Sequence, residues 1–170
     1  MRVGIALGSN LGDRLSHLQE ARRQLLDLHD GSGPFLCSKI YESAPVDCPD
    51  ASPHFLNAAI ELSSQSPPLD LLTDLQLIES DSGRPKDHEF HGPRTLDLDF
   101  LYYEDLQLSH SSLTLPHKRI PERLFVLKPL ADICPERILP NESRSIRELC
   151  SALEFNTLNP HLIEFISFFR

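Results

Sequence analysis

Two aspartates two residues apart, with an arginine three residues before the first, form the stretch of this sequence best suited to chemistry: Gly92-Pro93-Arg94-Thr95-Leu96-Asp97-Leu98-Asp99-Phe100. Side chains alternate along an extended strand, so Leu96, Leu98 and Phe100 share a core face while Asp97 and Asp99 stand together on the other. Two carboxylates rooted about 7 Å apart repel each other, and aspartate is a poor strand former. A hard divalent cation relieves that repulsion: Mg²⁺ takes one or two carboxylates and completes its shell with substrate phosphate oxygens. A solvated strand face that carries Asp twice explains the pair equally well, and D-x-D spacing alone leaves the two readings level. Arg94 adds a planar donor matched to phosphate, which favours metal and phosphate.

Two further groups have chemical content. Pro116-His117-Lys118-Arg119, followed by Arg123, is either a basic surface turn or the second wall of a polyphosphate site, and by itself it reads as a turn. Phe55 and Asn57, spaced i, i+2 on a strand, offer a flat ring beside an amide that both donates and accepts. That pairing suits a flat heterocycle with a mixed hydrogen-bonding edge, but a core Phe beside an outward Asn accounts for it as simply.

The elements that must position these groups follow from hydrophobic spacing. Residues 2–8 form an apolar strand ended by the Gly8-Ser9-Asn10 turn, and Leu15, Leu18, Ala21, Leu25 and Leu28 mark an amphipathic helix over 13–29. Gly31-Ser32-Gly33-Pro34 breaks the chain before strands at 35–41 and 55–62, separated by a loop with Pro45, Pro49 and Pro53. Pro67-Pro68 starts a second helix with Leu69, Leu72, Leu75 and Ile78 on one face. A polar loop over 81–93 precedes a strand over 95–103; a helix begins at Pro121, and Ser145 to Glu148 is a capping box ahead of Leu149 and Leu153. The order β-α-β-β-α-β is ferredoxin-like, its helices on one face of the sheet. The expected class is therefore α+β, a mostly antiparallel sheet with helices packed on its faces. With no repeat and no linker, residues 1–170 read as one domain with an apolar tail at 160–170.

Bulk properties narrow the function. Hydrophobic residues make up 40% and charged residues 24% of the 170, an ordinary globular balance. The net charge of −9 argues against nucleic acid and anionic membrane as partners. Seven basic and seven acidic residues lie between Arg84 and Lys128, so the negative excess is elsewhere and an anion would bind in this window. Cys37, Cys48, Cys134 and Cys150 have no zinc spacing and read as reduced thiols. No signal-like or membrane-length apolar run is present, which points to the cytoplasm.

Taken in order, Ala6-Leu-Gly-Ser-Asn-Leu-Gly12, Phe55-Leu-Asn-Ala-Ala59, Gly83-Arg84, the Gly92-to-Asp99 string, Leu115-Pro-His117 and Phe125 resemble the 6-hydroxymethyl-7,8-dihydropterin pyrophosphokinases over about residues 3–155. That resemblance implies pyrophosphate transfer from ATP to 6-hydroxymethyl-7,8-dihydropterin, in-line at the β-phosphorus and with AMP leaving. It implies two Mg²⁺ ions on Asp97 and Asp99, phosphate contacts from Arg84, Arg94 and His117, and adenine near Thr114 and the Phe100 backbone. Phe55 and Phe125 would sandwich the pterin, with Asn57, backbone groups of Ser43 and Val46, and the Glu79 carboxylate at its edge. The chain departs from the family at His91, where Trp is common, at Phe55 in place of Tyr, and at Lys118 in place of an aromatic; the second basic residue of the loop is either represented by Lys86 or absent, since Asp87 and His88 follow. No P-loop occurs, and a monomer is expected, with the tail as the surface for any dimer. A γ-phosphate kinase, a phosphohydrolase and a non-catalytic ferredoxin-like binding module are the competing readings.

Overall fold

The first apolar run becomes strand β1 (Arg2–Ser9), and it lies inside the sheet, second from one edge. The computed structural model describes residues 1–45, 52–83, 94–155 and 163–168. After β1 come α1 (Arg14–Asp27), β2 (Leu36–Cys37), β3 (Lys39–Ser43), β4 (Phe55–Ser63), α2 (Pro68–Asp81) and β5 (Asp97–Tyr103). A short hairpin of β6 (Leu108–Ser109) and β7 (Thr114–Leu115) follows, then a 3₁₀ turn at Ile120–Glu122, α3 (Leu124–Ile133), α4 (Ile146–Glu154) and β8 (Ile163–Ser167). The main sheet is antiparallel in the order β5-β1-β4-β3-β8, with β2 also on β4. Strands β1, β3, β4 and β5 with α1 and α2 reproduce the expected ferredoxin-like unit.

Alternation divides the side chains between two cores. Val3, Ile5 and Leu7 of β1, with Leu56, Ala58, Ile60 and Leu62 of β4 and Leu98 and Phe100 of β5, meet Leu18, Ala21 and Leu25 of α1 and Leu71, Leu75 and Ile78 of α2. The buried stripe of α2 runs through Leu71, Leu75 and Ile78; Leu69, counted on that face from spacing, is exposed because successive steps of three residues drift off the face of a 3.6-residue helix. On the opposite face Ala6, Ala59, Leu101 and Tyr102 are covered by Leu124, Val126, Leu127 and Leu130 of α3 and by Ile146, Leu149 and Cys150 of α4. Helices on a single face thus hold for α1 and α2 only.

Local chemistry explains where elements start and break. Asp13 caps α1 by accepting from Ser16 N at 3.1 Å, and the Ser145–Glu148 capping box forms as expected at α4. The strand expected over 35–41 splits into β2 and β3 because Ser38 Oγ accepts from Ala59 N at 2.8 Å and interrupts the ladder. The helix expected from Pro121 is a 3₁₀ turn followed by α3, since Arg123 between them is extended (φ −114°, ψ 101°). A bulge opposite Gly4/Ile5 turns both Leu101 and Tyr102 toward α3. Gly4 must be bare there: a Cβ would fall inside the Tyr102 ring.

Beneath α3 a charged group is buried with Tyr102. Glu61 is 1% exposed; it accepts from Tyr102 Oη and is 3.6 Å from Arg137, whose guanidinium lies 4.4 Å from the Tyr102 ring centroid. Arg2 reaches the other Glu61 oxygen at 3.3 Å. Part of the apolar tail is spent within the chain: β8 pairs with β3, and Phe168 packs on the first core.

Candidate active site

α3 covers only one end of the second sheet face, and the other end is open. In that open end Gly8 of β1 is opposite Asn57 of β4 on one side and Asp97 of β5 on the other, with Ala6 opposite Asp99. A Cβ on Gly8 would stand 3.7–3.9 Å from Phe55, Asp97 and Asn57, so the missing side chain leaves a bare floor between ring, amide and carboxylate. Ser43 and Ala44 form one wall of this cavity, Phe125 and Arg123 another. Asn57 Nδ2 donates to Ser43 Oγ at 2.9 Å, which fixes the amide plane and leaves Oδ1 as its acceptor edge.

The two carboxylates lie side by side, and each is met by a cation. Arg94 Nη2 is 3.1 Å from Asp97 and Arg123 Nη1 is 3.1 Å from Asp99, all four side chains being partly buried. The same guanidinium groups lie over rings, Arg94 at 5.9 Å from Phe55 and Arg123 at 5.6 Å from Phe125. Arg94 Nε is buried with no hydrogen-bond partner among the described residues, a donor left for an anion. Arg123 belongs to the basic cluster whose sequence reads as a turn or as a polyphosphate wall; its charge marks it, but its pairing with Asp99 joins residues distant in sequence.

Asp99 also lines a second cavity, with Phe100, Thr114, His117, Lys118 and Arg119. His117 N donates to Leu101 O at 2.7 Å, and its Nδ1 accepts from Arg119 N at 3.2 Å, so the neutral ring carries its proton on Nε2. Burial is the larger influence on His117 and lowers its pKa, while Asp99 pulls it up. With the folded value depressed, the unfolded chain takes up this proton first, so the stabilisation is intact above about pH 6.5 and lost below it. Between about pH 7.5 and 5.5 the urea midpoint of the wild type should fall further than that of His117→Gln; equal falls would show that His117 does not contribute.

The carboxylate pair supplies oxygen donors only, and among the described residues no three His, Cys, Asp or Glu side chains converge. Two carboxylates completed by substrate oxygens is the donor set that Mg²⁺ accepts, so the residues present fit that ion.

Residues 4–135 match the family described as 7,8-dihydro-6-hydroxymethylpterin-pyrophosphokinase. The chain belongs to that family. It is 43% identical to the 2-amino-4-hydroxy-6-hydroxymethyldihydropteridine pyrophosphokinase of Bacillus subtilis, over 78% of this chain and 77% of that one. The Pseudomonas aeruginosa protein of the same name is 40% identical, over 91% and 93%. A mitochondrial folate synthesis bifunctional protein of Arabidopsis thaliana is 46% identical over 77% of this chain, which spans only 23% of the plant protein's length. A crystal structure of Plasmodium falciparum HPPK-DHPS with pterin and p-hydroxybenzoate superposes with a TM-score of 0.69, covering 94% of this chain and 45% of that one at 15% identity, a likeness of fold.

In this chain Ser43, Phe55, Asn57, Arg94, Asp97, Asp99 and Phe125 come together at the first cavity, and Phe100, Thr114 and His117 at the second. Glu79 does not join them. It rises from α2 to the outer edge of β5, where its carboxylate accepts from Leu98 N at 2.8 Å, and β5 and β1 separate it from Asn57. Val46, Arg84, Lys86 and His91 lie outside the described residues. Asn10, which the sequence assigns to the turn after β1 and to the Ala6–Gly12 motif without a role of its own, bonds the main chain of Arg94 in both directions.

Proposed function

We propose that this chain transfers pyrophosphate from ATP to the hydroxymethyl group of 6-hydroxymethyl-7,8-dihydropterin, releasing AMP, as a step of folate biosynthesis. The observation that carries this reading is the meeting of two cavities at Asp99, one with an aromatic–amide floor and one with cationic and hydroxyl walls. The pterin takes the first, between Phe55 and Phe125, with Asn57 at its edge; ATP takes the second, adenine toward Thr114 and Phe100. His117, through Nε2–H, and Arg94 hold the phosphates in line with the pterin hydroxymethyl oxygen. That oxygen bonds to the β-phosphorus as the bond from the β-phosphorus to the AMP oxygen breaks, and the hydroxyl proton is lost to solvent. Mg²⁺, two ions in this reading, would be held by Asp97 and Asp99 and supply positive charge against the phosphate oxygens. Arg94 and Arg123 are placed to turn from the carboxylates to the phosphates, and Arg84 is proposed to join them. We further take residues 1–170 as one domain acting as a monomer in the cytoplasm.

The decisive experiment mixes the protein with Mg-ATP and the hydroxymethyl-dihydropterin and identifies the nucleotide formed. AMP in step with the pterin diphosphate supports the proposal; ADP would make the chain a γ-phosphate kinase, and no nucleotide turnover a binding module. A further expectation concerns the rings. Phe55→Ala and Phe125→Ala should each weaken pterin binding by about 1–3 kcal/mol through lost stacking and apolar contact, while ATP affinity changes much less. Equal losses for both ligands in calorimetric titration would point to collapse of the site instead.

A further inference from the structure

We propose that Asn10 is a positioning residue for this reaction, fixing the main chain of Arg94 and affecting turnover through that arginine. The proposal rests on the reading that Arg94 faces the phosphates of ATP. Asn10 follows β1 directly and is 2% exposed. Its N–H donates to Arg94 O at 3.1 Å, and its Oδ1 accepts from Arg94 N at 2.7 Å. These two bonds continue the β1–β5 pairing past Gly8 and Asp97, with a side-chain oxygen replacing a main-chain carbonyl. The chain bends directly after Asn10 and enters α1 at Arg14. Asn10 Nδ2 in turn donates to Pro53 O at 3.4 Å, just ahead of Phe55.

One buried amide thus ties together the end of β1, the approach to β4 and the residue that carries the guanidinium. The Arg94 side chain has the Asp97 contact and the Phe55 face, and a donor nitrogen that no described residue uses. A long side chain with that freedom reaches its target reproducibly only if its Cα is fixed, and misplacement of about 1 Å can lower a rate ~10²-fold. The main-chain bonds from Asn10 provide that fixed point. They do not depend on the identity of the side chain at 94, which makes the dependence testable.

The test is a double-variant cycle read as kcat and as KM for each substrate. Arg94→Ala should lower kcat/KM for ATP ~10²-fold and Asn10→Ala ~30-fold, with the pterin KM of the latter within about 3-fold of wild type. The double variant should fall within about 3-fold of Arg94→Ala alone, because no guanidinium is left to misplace. Asn10→Asp keeps the acceptor for Arg94 N and should recover most of the loss. If Asn10→Ala does not fold, Asn10→Ser, one atom shorter, enters the same cycle. Multiplied losses in the double variant, a loss confined to the pterin KM, or an Asp variant as poor as Ala would each overturn the role of Asn10. A wild-type protein that forms no AMP would overturn the reaction itself and remove the premise.

Discussion

Asp97→Ala and Asp99→Ala should each lower turnover by ~10² or more while leaving the chain folded. The rate effect is the scale observed when a preorganised charge partner at a reacting centre is lost. Retention of the fold follows from position: both side chains are partly exposed at the open end of the sheet, away from the two apolar cores. Each substitution unpairs one arginine, Arg94 or Arg123, and ion pairs with that exposure contribute ~1 kcal/mol or less. The loss should grow as Mg²⁺ is made limiting. Near-wild-type turnover of either variant at limiting Mg²⁺ would remove both carboxylates from the proposed metal site.

The largest effect on stability is expected at the other end of the same sheet face. Glu61→Ala should destabilise the fold by about 3–5 kcal/mol, the usual result of breaking a buried ion pair from one side. It removes the carboxylate beside Arg137 Nε, leaving that buried guanidinium only its more distant carboxylate contacts with Glu104 and Asp105 among the described residues, and it takes from Tyr102 its carboxylate acceptor. At slopes of about 1–3 kcal/mol/M the urea midpoint should fall by at least ~1 M. Glu61→Gln keeps an acceptor but not the charge, and should lie between. Activity per folded molecule should hardly change, because Glu61 is four residues along β4 from Asn57, about 13 Å away. An unchanged midpoint for the alanine variant would mean that α3 shifts to bring water to Arg137.

Several parts of this arrangement were legible in the sequence because they depend on local rules. Alternation alone put Asp97 and Asp99 opposite Leu98 and Phe100, and the Ser145 cap and the α1 stripe followed from spacing. What was not legible depends on register between distant strands. Nothing near Gly8 indicates that it will lie between Asn57 and Asp97, and nothing in a basic turn indicates that Arg123 will reach Asp99. Glu79 was placed by resemblance, and the structure sends it to a strand edge instead. Helices on both faces were expected, but which helices cover the second face was not legible: α3 follows a turn that spacing merged with it, and that face carries Ala6, Ala59, Leu101 and Tyr102 as its apolar signal.

The inner place of β1, between β4 and β5, has a temporal consequence. The strand is made first, yet its two neighbours are β4, ending at Ser63, and β5, ending at Tyr103. At about 5–20 residues per second, a ribosome needs several seconds after completing β1 to deliver the second of them. Through that interval the β1 edge that will receive β5 has no partner from its own chain, and such edges invite pairing with other chains. The floor of the first cavity cannot assemble in pieces either, since Gly8 waits for Asn57 on one side and for Asp97 on the other. A nascent chain released before residue 103 should therefore be a sticky fragment with no pterin affinity, and should need shielding by a chaperone that covers exposed strands.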